Sequence, residues 1–137
     1  MARSAYRTGV TLQAGLTATF DRVVTDDHTA IALGSGDVPV LATPQVLAWC
    51  EEASVAAVAD HLADDDSVVG MRVRMDHIRA TPTGVAVHIE ATLAKVEGKR
   101  LTFDVVASDD RGEIATGQVI RVVVDRARFL DRAAGSA

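Results

Sequence analysis

Aromatic side chains are scarce in this chain, at 4% of 137 residues, so bulk for a core has to come from aliphatic ones. Cysteine is nearly absent as well. Cys50 stands alone, which excludes an internal disulfide and points to a reducing compartment, the cytoplasm. Concentrated positive charge is missing too. The 14 Lys and Arg are dispersed among 19 Asp and Glu for a net charge of −5. That excludes nucleic acid or an anionic membrane as partner, because phosphate binding needs clustered cations. No apolar run is long enough to span a bilayer. The opening residues, Met1 to Arg7, have no apolar stretch behind their charges, so no secretory signal is expected. No His, Cys or Asp spacing suits a metal. Gly34-Ser35-Gly36 lacks the strand–helix setting and the Lys-Ser/Thr partner of a phosphate loop. The absence of a G-x-S-x-G elbow argues against covalent serine chemistry.

What is present is an apolar fraction of 48%, largely Val and Ala, in a length that suits one domain over residues 1–137. Residues 1–12 and 131–137 read as loosely held ends. β-formers from Gly15 to Val24 predict a first strand. Thr25 to Pro39 is polar and glycine-rich and reads as a long surface loop, of the kind that often serves as a lid. Thr43-Pro44 then signals a helix start, with the threonine as cap and the proline in the first turn. Gln45 to Leu62 contains no Gly or Pro, and at about 1.5 Å per residue the helix reaches close to ~30 Å. Val46, Leu47, Trp49, Cys50, Ala53, Val55, Ala57 and Val58 make it apolar on most sides, which predicts a buried helix.

Everything after the helix reads as strand. Val68 to Arg79 alternates, with Val69, Met71, Val73 and Met75 on one face. Val85 to Leu93 follows a Thr81-Pro82-Thr83-Gly84 turn. Glu97-Gly98-Lys99 and Asp109-Asp110-Arg111-Gly112 make hairpins to Leu101–Ala107 and Ile114–Val124. The layout is α+β: an antiparallel sheet wrapped around one long central helix.

Four polar residues interrupt this apolar pattern. Glu51 shares a helical stripe with Leu47, Ser54 and Val58, where an unpaired carboxylate is costly. It either pairs with a structural arginine or does chemistry; Glu52, about 100° further round the helix, is the more exposed of the two. His77 ends the row of Val69, Met71, Val73 and Met75 and is either a satisfied core histidine or a general base. Arg121 alternates with Val119 and Val123 and requires an acidic partner or a ligand phosphate. Thr43 is either a plain cap or a group beside the positive end of the helix dipole. His28, His61 and His88 have no comparable setting.

With Gly70, these residues carry a family resemblance. The run Leu41-Ala42-Thr43 through Trp49-Cys50-Glu51, then Gly70 and His77 with Ala80-Thr81-Pro82, resembles hotdog-fold thioesterases of the fluoroacetyl-CoA thioesterase type. Val96 to Leu101 and Gly117 to Arg121 are similar to the same family, and the likeness runs from about residue 15 to 130. It implies a hotdog fold, a homodimer with active sites at the subunit interface, and hydrolysis of a small acyl-CoA with neither metal nor other cofactor. Carried over by position, Thr43, Glu51 and His77 are the catalytic residues, while Gly70 and Arg121 bind or support the substrate. Thr43 and Glu51 are expected to form a hydrogen-bonded pair at the acyl carbon, with the oxyanion held by the Gly70 N–H and the helix N-terminus. His77 would activate water or protonate the leaving thiolate, and Glu51 would act as nucleophile or base. Family members selective for fluoroacetyl-CoA carry aromatic residues ahead of the threonine, but Gly34 to Val40 here contains none. The alternatives are a non-catalytic hotdog module that binds acyl-CoA or another apolar ligand, or an enoyl-CoA hydratase, whose Asp/His hydration motif is not found.

Overall fold

The computed structural model describes residues 11–135. It has strands β1 (Thr17–Val23), β2 (Asp66–His77), β3 (Ala86–Glu97), β4 (Arg100–Asp109) and β5 (Gly112–Asp125). Its helices are α1 (Ala30–Leu33), α2 (Thr43–Val58) and α3 (Arg126–Ala133). All strand pairings are antiparallel, in the order β1-β3-β4-β5-β2, so the expected α+β layout is present.

One apolar row per strand builds the core. Val87, Ile89, Ala91 and Leu93 of β3 are fully buried, as are Leu101, Phe103 and Ala107 of β4. β5 adds Ala115, Val119 and Val123. Alternation puts each row on one sheet face, and α2 lies on that face through Val46, Trp49, Cys50, Ala53, Ala57 and Val58. The opposite side of α2 stays exposed, including Val55 at 38%. The expectation of a buried helix is therefore corrected: the sheet has one apolar face, and that face covers one side of the helix.

Three further readings change. α2 begins at Thr43 with Ala42 in the N-cap position and no side-chain cap, so the Thr43 hydroxyl is not spent on capping. β2 contains a bulge between Gly70 and Arg72, and the extra residue flips the alternation. Gly70 pairs with the inward-facing Arg121, whereas Met71 is 44% exposed and off the face of Val73, Met75 and His77. Finally, α3 was not anticipated among the strands. Asp125 caps it by accepting from the Arg128 N–H at 3.0 Å, and its apolar residues, Phe129 and Leu130, stay exposed, so it buries no residue. It extends into the stretch expected to be a loose end; residues 1–10 of the lead-in, and 136 and 137, lie outside the described residues.

Thr25 to Pro39 is more structured than a plain loop. Asp26–His28 forms a 3-10 turn and Thr29 caps α1 by accepting from the Ala32 N–H at 3.2 Å. Isolated bridges Thr29–Leu41 and Val40–Pro82 tie the segment to the body.

Gly117 of β5 lies opposite Met75, and a Cβ there would stand 2.8 Å from the Met75 Cα and clash with the Arg74 carbonyl. Backbone cannot yield as a flexible side chain does. Gly117→Ala should therefore cost about 1–3 kcal/mol, read as a lower urea midpoint at unchanged slope. A midpoint equal to that of the parent would contradict this tight crossing.

Candidate active site

His77 closes β2, and its ring meets the first turn of α2, where Nδ1 lies 2.7 Å from Thr43 Oγ. The tautomer decides which of the two donates. Burial lowers the His77 pKa from its ordinary 6.5, opposed by the Arg79 backbone, so the imidazole is neutral near pH 7. Its Nε2 is buried and forms no hydrogen bond among the described residues. A cleft of about 330 Å³ opens beside the pair, lined by Asp37, Val38, Val40, Ala42, Ile78 and Arg79 among others. The segment read as a surface lid is one wall of this cleft.

The second group of residues lies further along α2. Glu51 Oε2 is 3.7 Å from Arg121 Nη1, and the carboxylate is 37% exposed. The same oxygen rests over Gly70, where an added Cβ would come within 3.1 Å of it. Arg121 is 8% exposed and donates from Nη2 to the Val68 carbonyl at 3.0 Å. Desolvation lowers the Arg121 pKa from its ordinary value, and the Glu51 charge opposes that shift. Glu52 lies on the outer side, paired with Arg22 at 2.6 Å. The structure thus supplies the acidic partner that Arg121 required.

The expected Thr43–Glu51 hydrogen bond is not present among the described residues. Eight helical residues separate their Cα atoms by about 12 Å, so both lie on α2 but cannot touch. The structure instead pairs Thr43 with His77 and groups Glu51 with Gly70 and Arg121. The other histidines lie elsewhere: His28 packs edge-on against Trp49 at 4.9 Å, and His88 pairs with Asp21 at 2.8 Å. Among the described residues no group of three or more His, Cys, Asp or Glu side chains is placed to hold a metal. Sequence reasoning missed Arg79, which lines the cleft, because only the fold reveals where the chain leaves β2.

Cys50, beside Glu51, faces the core. Burial first, and the Glu51 charge second, push its pKa up to about 12. Iodoacetamide at mildly alkaline pH should therefore spare Cys50 in the native protein and label it once the chain is denatured. Rapid labelling of the folded protein would contradict that burial.

Comparison with known proteins gives a consistent result. The sequence profile described as fluoroacetyl-CoA-specific thioesterase matches residues 24–127. The fluoroacetyl-CoA thioesterase of Streptantibioticus cattleyicolor is 36% identical over 90 residues, which cover 66% of this chain and 65% of that protein. The chain thus spans just under two thirds of the length of that relative. A solved structure of a fluoroacetyl-CoA thioesterase superposes with a TM-score of 0.85 at 30% identity, over 93% of this chain and 98% of the other. A thioesterase-superfamily protein of Thermus thermophilus gives 0.83 at 26% identity, over 91% and 94%. A hot-dog-like protein of Thermanaerovibrio acidaminovorans gives 0.84 at 22% identity over 90% and 92%, which supports the fold alone. The sheet laid on α2 is a hotdog fold, and the chain belongs to the fluoroacetyl-CoA-specific thioesterase family.

Proposed function

We propose that this chain, as a single hotdog domain, hydrolyses a small acyl-CoA thioester to the free acid and CoA. The observation that carries the reading is the 2.7 Å contact between Thr43 Oγ and a neutral His77 at the head of an open cleft. A neutral imidazole can take a proton from water as that water attacks the thioester carbonyl, and return it to the leaving thiolate. The Gly70 N–H of one subunit and the N-terminus of the partner subunit's α2 would stabilise the oxyanion. Glu51 acts at the acyl carbon either as a base on that water or as a nucleophile whose acyl anhydride the water then hydrolyses, with Arg121 orienting its carboxylate. The aromatic-free segment Gly34 to Val40 leaves acyl selection to the aliphatic wall of Val38, Val40 and Ile78. The single buried thiol suits a reducing compartment, so we place the activity in the cytoplasm.

The active form in this reading is a homodimer. Thr43 and Glu51 lie too far apart on one helix to serve one carbon, so a second copy has to bring the two groups together. β2 is a long edge strand with Met71 and Val73 exposed at 44% and 37%, the kind of edge that pairs with another chain. Antiparallel β2–β2 pairing about a two-fold axis near Val73 would face Gly70 with the partner subunit's His77. One subunit's Glu51 would then complete the site of the other.

Glu51→Gln should lower turnover by about 100-fold or more on a panel of short acyl-CoAs, followed by release of free thiol. Near-normal turnover would remove Glu51 from the chemistry. Tight acyl-CoA binding without thiol release from the parent protein would favour a binding module instead. Mixing Glu51→Gln and His77→Ala subunits should restore about a quarter of the parent activity, because half the dimers then hold one intact composite site. No recovery after verified subunit exchange would place the site within one subunit.

The pH dependence follows from His77. Folding favours its neutral form, so its contribution to stability is complete above 6.5 and is lost as pH falls below that value. For the same reason the acid limb of kcat/KM should fall below pH 6.5, and a limb at or above 6.5 would contradict a desolvated base.

A further inference from the structure

The segment that carries the chain away from His77 is tied down by one buried carboxylate. Asp109, the last residue of β4, has a side chain only 1% exposed. Its Oδ1 accepts from Arg79 Nη2 at 3.0 Å and from the Arg111 backbone N–H at 2.8 Å. Its Oδ2 accepts from the Thr81 hydroxyl at 2.9 Å. Arg79 also donates to the Arg111 and Gly112 carbonyls at 3.0 and 2.8 Å, and Arg111 donates to the Ala80 carbonyl at 3.0 Å. Residues 79–81 are thereby cross-linked to the β4–β5 hairpin. Burial alone would raise the Asp109 pKa. The Arg111 N–H, the Thr81 hydroxyl and the charges of Arg79 and Arg111 outweigh it and hold the carboxyl below its ordinary range, so it remains ionised.

The same segment holds the entrance to α2. The Thr81 carbonyl accepts from the Leu41 N–H at 2.9 Å, and Val40 bridges to Pro82. Thr43 follows two residues after Leu41, and His77 precedes Arg79 by two. Both partners of the 2.7 Å contact therefore sit within a few residues of the structure that Asp109 clamps. A carboxylate that only stapled its own hairpin could accept from the Arg111 N–H and stop there. Here the remaining acceptor positions are used on Arg79 and Thr81, across the site entrance.

We propose that Asp109 is a positioning residue for the Thr43–His77 pair: through Arg79 and Thr81 it fixes the strand exit on which the hydroxyl–imidazole distance depends. This rests on the reading of Thr43 and His77 as reacting groups. A displacement on the order of 1 Å is enough to cost a large factor in rate while leaving ground-state binding nearly unchanged. Arg79, held by Asp109, lines the cleft with His77, and Asp37 is the other charged residue there.

Asp109→Asn keeps the shape and one acceptor oxygen but removes the charge. At temperatures where the variant is folded by circular dichroism, kcat should fall at least about ten-fold with KM within about two-fold. The His77 ring, titrated by NMR, should shift its pKa up toward 6.5 as the desolvating contact loosens. Thr81→Val removes one hydroxyl at constant shape and should move both readouts in the same directions by less. It carries the test if Asp109→Asn does not fold. If the variants melt earlier but keep kcat and the His77 titration of the parent, Asp109 is a hairpin staple and the proposal is wrong. The two readings can fail separately. A parent protein that releases no thiol from any acyl-CoA overturns the proposed activity, whereas an unmoved His77 titration in both variants overturns the positioning role alone.

Discussion

A five-stranded sheet offers one apolar face, and a helix laid on that face can bury only one of its sides. Much of the site geometry follows from that constraint. Trp49, Cys50 and Ala53 enter the core, while Thr43 and Glu51 fall at the border where the sheet stops covering α2. The border is where a polar group can be partly desolvated and still reach a ligand. A neutral imidazole and a partly exposed carboxylate can both exist there. Neither would be stable unpaired at the centre of the sheet face.

The strands carry the matching half of this arrangement. β2 must present Gly70 inward beside Arg121 and, seven residues later, bring His77 to the head of α2. Strict alternation would put these two on opposite faces, because seven is odd. The bulge at Met71 adds one residue and restores both to the inner face. Gly117, across from Met75, lets the two backbones cross closely enough for the end of β2 to reach the helix. The bulge beside Gly70 thus aims two separated groups inward.

This explains what could be read from the residues and what could not. Periodicity of apolar side chains located the strands and the long helix because burial is periodic. Spacing to Thr43 and the order of Gly70 and His77 singled out these residues through resemblance, but as one constellation, which the structure divides into Thr43 with His77 and Glu51 with Gly70 and Arg121. The bulge was invisible because Val69, Met71, Val73 and Met75 look like one uninterrupted row; only the pairing of Gly70 with Arg121 breaks it. α3 was missed because its eight residues follow directly on a Val-rich strand and offer only Phe129 and Leu130 as large apolar side chains. The capping role given to Thr43 failed because a hydroxyl beside a helix start has two possible partners, and a histidine distant in sequence supplies the one it takes. Arg79 and Asp109 were invisible for the same reason: charged residues in turns acquire meaning only through partners about thirty positions away.

The Glu51–Arg121 pair bears on whether Glu51 is structural. A locked ion pair would show hydrogen-bond distances and a bidentate fork. Here the approach is 3.7 Å to one oxygen, and the Arg121 Nη2 is engaged with the Val68 carbonyl instead. With more than a third of the carboxylate exposed, solvent screening leaves such a contact worth under about 1 kcal/mol. Stability is therefore a weak reason to keep an arginine buried at the cost of its own desolvation, which is what lowers its pKa. A guanidinium fixed by backbone, close enough to orient a carboxylate yet too far to hold it, leaves the Glu51 side chain free to move.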